Sequence, residues 1–230
     1  MTTSENKLTD SYLHSGIFVD SDSASVQYFT EQALQGLGSN PTESGVALYY
    51  AVRDGLKYDP YGMVLEREDF VASNIAERDS AFCVPKAILL TASARAAGIP
   101  ARLGYADVRN HLCTPKLKAA MRGKDLFIYH GYVEMYLDDR WVKSTPAFNK
   151  ELCDKVGIKA LEFNGHDDAM LHPYDIEGRQ HMEYVHDHGT FSDHPYERVR
   201  DAFREMYGDL DKMLSRVNGD FAAEIESVIE

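Results

Sequence analysis

The chain lacks any apolar run approaching the roughly 20 residues that span a bilayer as a helix, so no membrane association is expected. Its first ten residues, Met1 to Asp10, are polar and have no apolar centre of the kind a secretory leader carries. A cytoplasmic location is the expectation. Cysteine is scarce. Cys83, Cys113 and Cys153 are odd in number and far apart, which excludes a disulfide framework and suits reduced thiols. There is no Cys-x-x-Cys pair to hold a structural zinc. Basic residues are in deficit, with 24 Lys and Arg against 37 Asp and Glu and a formal net charge of −13. Such a surface repels phosphate backbones and serves solubility, so no nucleic-acid partner is expected. Internal repeats and low-complexity tracts are also missing.

What remains is a globular composition. The 230 residues are 44% hydrophobic, enough for a buried core in one sizeable domain. Residues 1–10 read as a flexible tail, 11–150 as the core, and 151–230 as an elaboration of the same domain. Tyr12 to Val19 reads as a short strand. Ser23 to Leu37 carries Val26, Phe29, Ala33, Leu34 and Leu37 at helical spacing. A second helix starts at Asn40-Pro41-Thr42-Glu43, with Asn40 as cap, Pro41 in the first helical position and Glu43 closing a capping box. Met63 to Ser80 is charged and irregular. Ala101 to Asp107, Phe127 to Leu137 and Trp141 to Lys143 read as strands. Asn110 to Lys124 suggests a short helix. Short strands are expected at Leu161–Phe163 and His181–Val185, and one amphipathic helix from Pro195 through Leu214.

Cys83 heads the helix Val84 to Ala97, with Pro85 in the first turn and Gly98 placed to cap the other end. A thiol at a helix N-terminus meets unpaired amide hydrogens and the positive end of the macrodipole, both of which favour the nucleophilic thiolate. The natural partner is His130, on the strand Ile128-Tyr129-His130-Gly131-Tyr132-Val133-Glu134. Alternation puts His130, Tyr132 and Glu134 on its more polar face. A helix-borne thiol and a strand-borne imidazole within about 4 Å form the pair that activates a cysteine nucleophile.

Three ordered blocks carry a family resemblance. They are Tyr50-Ala51-Val52-Arg53-Asp54-Gly55-Leu56-Lys57-Tyr58-Asp59, the Cys83 helix with its exit Arg95-Ala96-Ala97-Gly98-Ile99-Pro100-Ala101-Arg102, and His130-Gly131-Tyr132-Val133-Glu134-Met135-Tyr136-Leu137 followed by Trp141-Val142. From Ser23 to Asn149 the chain resembles the transglutaminase-like superfamily. The resemblance implies an α+β, papain-like fold in which a cysteine-bearing helix packs on an antiparallel sheet bearing histidine. It also implies acyl transfer, or hydrolysis of a peptide or small amide, through a thioester and without a cofactor or metal. The family pattern has an aspartate four residues after the tryptophan, where this chain has Thr145. Thr145, Asn149 by analogy with Cys-His-Asn enzymes, and Asp107 are the alternatives for orienting His130. The substitution also admits a second reading, a catalytically weakened or inactive binding module of the same fold.

The segment from Leu152 to His194 holds six of the nine histidines. His181, His186 and His188 invite a metal reading, with His186 and His188 sharing a strand face. No zinc signature such as His-Glu-x-x-His accompanies them, and polar loop or groove-lining roles are the expectation. Cys113 and Cys153 have no supporting motif and read as buried or semi-buried thiols.

Overall fold

The computed structural model describes residues 9–111, 113–214 and 221–229. Residues 1–8 of the expected tail lie outside them. Helices α1 (Ala24–Ala33) and α2 (Pro41–Gly55) come first, then the two-residue strand β1 (Lys57–Tyr58), a 3₁₀ turn at Arg67–Phe70, and α3 (Ala72–Ile75). Strand β2 (Ser80–Ala81) leads directly into α4 (Cys83–Ala96). Then follow β3 (Ala101–Asn110), α5 (Pro115–Ala120), β4 (Leu126–Leu137), β5 (Arg140–Ser144) and α6 (Lys150–Lys155). The last elements are β6 (Met182–Phe191), α7 (Tyr196–Tyr207), α8 (Leu210–Leu214) and α9 (Phe221–Ile229). Strands pair antiparallel in the order β5-β4-β3-β6, so the molecule is α+β.

Helix α4 is the centre of the core. It packs on β4 and β3 on one side and on α1, α2 and α3 on the other. Every residue from Val84 to Arg95 is buried, which explains its lack of a polar stripe. Its small residues Ala87, Ala92 and Ala94 permit close approach on all sides. Gly98, at φ 75°, ends it in a Schellman motif, with Gly98 N donating to Arg95 O and Ile99 N to Ala94 O. The Asn40 side chain caps α2 by accepting from Thr42 N and Glu43 N.

Several expectations are corrected. Tyr12 to Val19 is turns and bends. The Asp193 carboxylate accepts from the amides of Ile17, Phe18 and Val19, so these donors need no strand partner. Leu161–Phe163 is not a strand either. Tyr49 and Arg53 donate to Leu161 O, while Tyr50 Oη accepts from Phe163 N and donates to its carbonyl, so side chains of α2 replace a ladder. The helix after Pro195 is interrupted at Gly208, which has φ 73°. The strand expected at His181–Val185 begins one residue later and runs on to Phe191, pairing with β3 as an edge of the main sheet. Strand β3 extends to Asn110, and the following helix is confined to Pro115–Ala120 behind a Thr114 cap.

Candidate active site

The site forms where the start of α4 meets β4. Parallel pairing of Lys57 with Ser80 and Tyr58 with Ala81 fixes the approach to Cys83. Beneath it, Lys86 is fully buried and donates through Nζ to the carbonyls of Arg53 and Leu56 at the end of α2. Burial pulls its ammonium down to about 7, against the opposing pull of Asp54.

From the other side, Gly131 of β4 presses on the first turn of α4. A Cβ at Gly131 would stand 3.1 Å from Ala87 Cβ, 3.2 Å from Val84 Cα and 3.3 Å from the Cys83 carbonyl oxygen. Glycine is what lets the strand lie this close. The alternation along β4 is interrupted just before His130. Tyr129 is left-handed at φ 53°, and the register with β3 shifts between Ala106 and Val108. His130 sits opposite Ala106, and Tyr132 and Glu134 are also buried, Glu134 against Arg102 at 2.6 Å.

Cys83 and His130 line one narrow, mostly apolar cavity of about 30 Å³. Phe203 and Tyr207 of α7 and Leu210 and Leu214 of α8 line it too. Tyr207 anchors this cover: its hydroxyl donates to Leu126 O and accepts from Ile128 N, beside His130 on β4. Tyr58 borders this cavity and also an open groove of about 360 Å³, whose lining includes Lys57, Asp79, Asn149, Lys155 and Phe221.

Burial sets the electrostatics. It pushes the Cys83 thiol up to about 11, although the amides of Gly131, Val84 and Cys83 itself pull the other way. Burial also holds the His130 imidazole down to about 4. The resting pair is therefore neutral thiol and neutral imidazole. The helix N-terminus favours the thiolate as the sequence suggests, but desolvation is the larger effect.

The candidate orienting groups are engaged elsewhere. Thr145 Oγ1 donates to Met170 Sδ at 3.7 Å. Asn149 stands at the N-cap position of α6 without a side-chain bond to that helix, and its Oδ1 accepts from Tyr58 N at 3.0 Å. Asp107 Oδ1 contacts His188 Nε2 at 2.6 Å and accepts from Tyr129 N. Among the described residues none of the three hydrogen-bonds His130, and His130 Nε2 has no partner at all. His186 and His188 lie edge to face at 4.6 Å, while His181 is buried apart from them. Among the described residues no group of three or more His, Cys, Asp or Glu converges as a metal site. Cys113 and Cys153 are free thiols, half-buried and buried, both pushed upward by desolvation. Sequence reasoning missed Lys86 and Tyr207; a lysine in the all-apolar first turns of α4 was the available signal for the first.

Residues 29–146 match the family model of the transglutaminase-like superfamily core, and the chain belongs to that superfamily. No curated protein matches it. Among solved structures it is similar to a protein named "Putative Cysteine Protease" from Cytophaga hutchinsonii, at 18% identity and a TM-score of 0.46. That likeness covers 79% of this chain and 46% of the other, so the chain spans a little under half the length of that protein. No helix among the described residues is long and apolar enough to cross a membrane.

Proposed function

We propose that this member of the transglutaminase-like superfamily is a cysteine-nucleophile enzyme that hydrolyses an amide or peptide bond, or transfers its acyl group to an amine. One observation carries the reading: the Cys83 thiol at the start of α4 shares a cavity wall with the buried His130 imidazole.

The chemistry follows from that arrangement. Because both groups are neutral at rest, the Cys83 proton passes to His130 as sulfur attacks the carbonyl carbon. The carbonyl π electrons move to oxygen, where the Cys83 amide at the helix N-terminus supplies a donor. As the oxyanion collapses, the C–N bond breaks and His130 returns the proton to the departing amine. Water or a second amine then resolves the thioester, again through His130. The open groove beyond Tyr58, with lysines and carboxylates on its walls, suits a polar peptide or a carboxamide side chain.

The test is a screen of the intact protein against peptides and small amides, with Cys83→Ala and His130→Ala as controls. Turnover that disappears in both variants is expected. Equal turnover in Cys83→Ala, or none from any protein, overturns the reading. The second reading, a binding module, draws on the raised thiol and on a His130 that no carboxylate among the described residues hydrogen-bonds; it predicts saturable peptide binding without turnover.

A further inference from the structure

His130 borders a second cavity besides the one it shares with Cys83. This space measures about 20 Å³, and its walls include Val108, Asn110, Phe148 and His181. A single ordered water needs about 10–15 Å³ and two or more polar partners. Polar partners are present. His130 Nε2 and both ring nitrogens of His181 are buried and carry no hydrogen bond. His181 is 1% exposed and His130 6%. Leaving such atoms unpaired costs about 1–3 kcal/mol each, and native structures rarely tolerate it.

His181 is held firmly at this position. Its amide donates to Pro173 O and its carbonyl accepts from His111 N, just ahead of β6. Phe148 stacks over its ring, at 6.2 Å between centroids and 21° between planes. Burial keeps both imidazoles near 4, so each is neutral at pH 7, with one N–H and one acceptor nitrogen.

We propose that His181 is the positioning residue for His130, acting through one water held between His130 Nε2 and a ring nitrogen of His181. The water accepts from the His130 Nε2–H and donates to the lone pair of His181. With the bonds in that direction the proton of His130 sits on Nε2 and Nδ1 is left as the free base. Thr145 Oγ1, Asn149 Oδ1 and Asp107 Oδ1 are engaged with Met170, Tyr58 and His188, and among the described residues none of the three side chains bonds His130 Nε2. This inference rests on the catalytic reading of Cys83 and His130. It assigns to a neutral imidazole and a water the orienting role that a carboxylate has in the family pattern.

Imidazole ¹⁵N shifts of the full-length protein near pH 7 read the His130 tautomer directly. The wild type is expected to carry its proton on Nε2. His181→Phe, which removes the acceptor, is expected to mix the tautomers and slow iodoacetamide alkylation of Cys83 about tenfold, while His181→Gln, which keeps an acceptor, stays within about threefold of the wild type. A high-resolution crystal structure should place a water in contact with both rings. A wild-type proton on Nδ1, an unchanged tautomer and rate in His181→Phe, or a dry cavity overturns the proposal. Should His181→Phe fail to fold, the wild-type tautomer and the His181→Gln rate decide. Full turnover in Cys83→Ala would sink the enzymatic reading while leaving the His130 tautomer to report on this link, so the two failures are distinguishable.

Discussion

At the scale of single residues, Cys83 is governed by two opposed effects. The amides of Val84 and Cys83 itself at the start of α4, and that of Gly131 on β4, favour the charged sulfur. Dense packing under Phe203, Tyr207, Leu210 and Leu214 withdraws water from it, and that penalty is larger. A preformed thiolate–imidazolium pair is therefore not the resting state. The ultraviolet absorbance of the thiolate, measured as wild type minus Cys83→Ala, should show no ionisation through neutral pH and a midpoint near 11. A midpoint below neutrality would mean that the amides and His130 together outweigh desolvation.

At the scale of elements, the contact of β4 with α4 decides how closely thiol and imidazole meet. Gly131 is its thinnest point, with Ala87, Val84 and Cys83 within 3.3 Å of where a Cβ would stand. Gly131→Ala forces the strand outward against a core that cannot give, and should cost about 1–3 kcal/mol. Urea unfolding measures this, and an unchanged midpoint would show that the two elements slide apart freely. The elements that could be read from sequence are those whose signals are local. The Asn40-Pro41 start of α2, the Cys83-to-Gly98 span of α4 and the alternating strand Phe127–Leu137 each carry their own caps or period. The elements that could not be read depend on distant partners. Leu161–Phe163 looks like a strand until Tyr49, Tyr50 and Arg53 take its backbone groups. β6 is legible only in its first part, within His181–Val185, because its middle is exposed and its continuation to Phe191 comes from pairing with β3. The candidate site was legible to the same extent. The helix-terminal cysteine and strand histidine line one cavity, whereas the sequence groups His181 only with His186 and His188, and the register of β6 on β3 brings it to a second cavity that His130 borders.

At the scale of the whole molecule, the fold buries three of its nine imidazoles, His130, His181 and His194, in neutral form. Desolvation holds His130 and His181 down to about 4 and His194 to about 3. His194 is wedged between Phe70, 4.8 Å from its ring, and Tyr105, whose hydroxyl meets Nδ1 at 2.7 Å. In the unfolded chain these rings take up protons near pH 6.5; in the folded protein they do so only near 4 or below. The unfolded state therefore binds more protons across that window, and stability must rise with pH through it. It is fully present above about pH 6.5 and is lost as pH falls toward 4. At pH 5 the loss amounts to about 2 kcal/mol for each of His130 and His181, a large part of the roughly 5–15 kcal/mol that holds a domain together. Urea midpoints taken from pH 7 to pH 4 should fall steeply, ahead of the range in which carboxylates titrate. His194→Phe, which keeps the ring stack and removes the titrating nitrogens, should flatten that fall. A midpoint that holds steady to pH 4.5 would mean these histidines reach solvent in the native state and bind protons there as freely as in the unfolded chain.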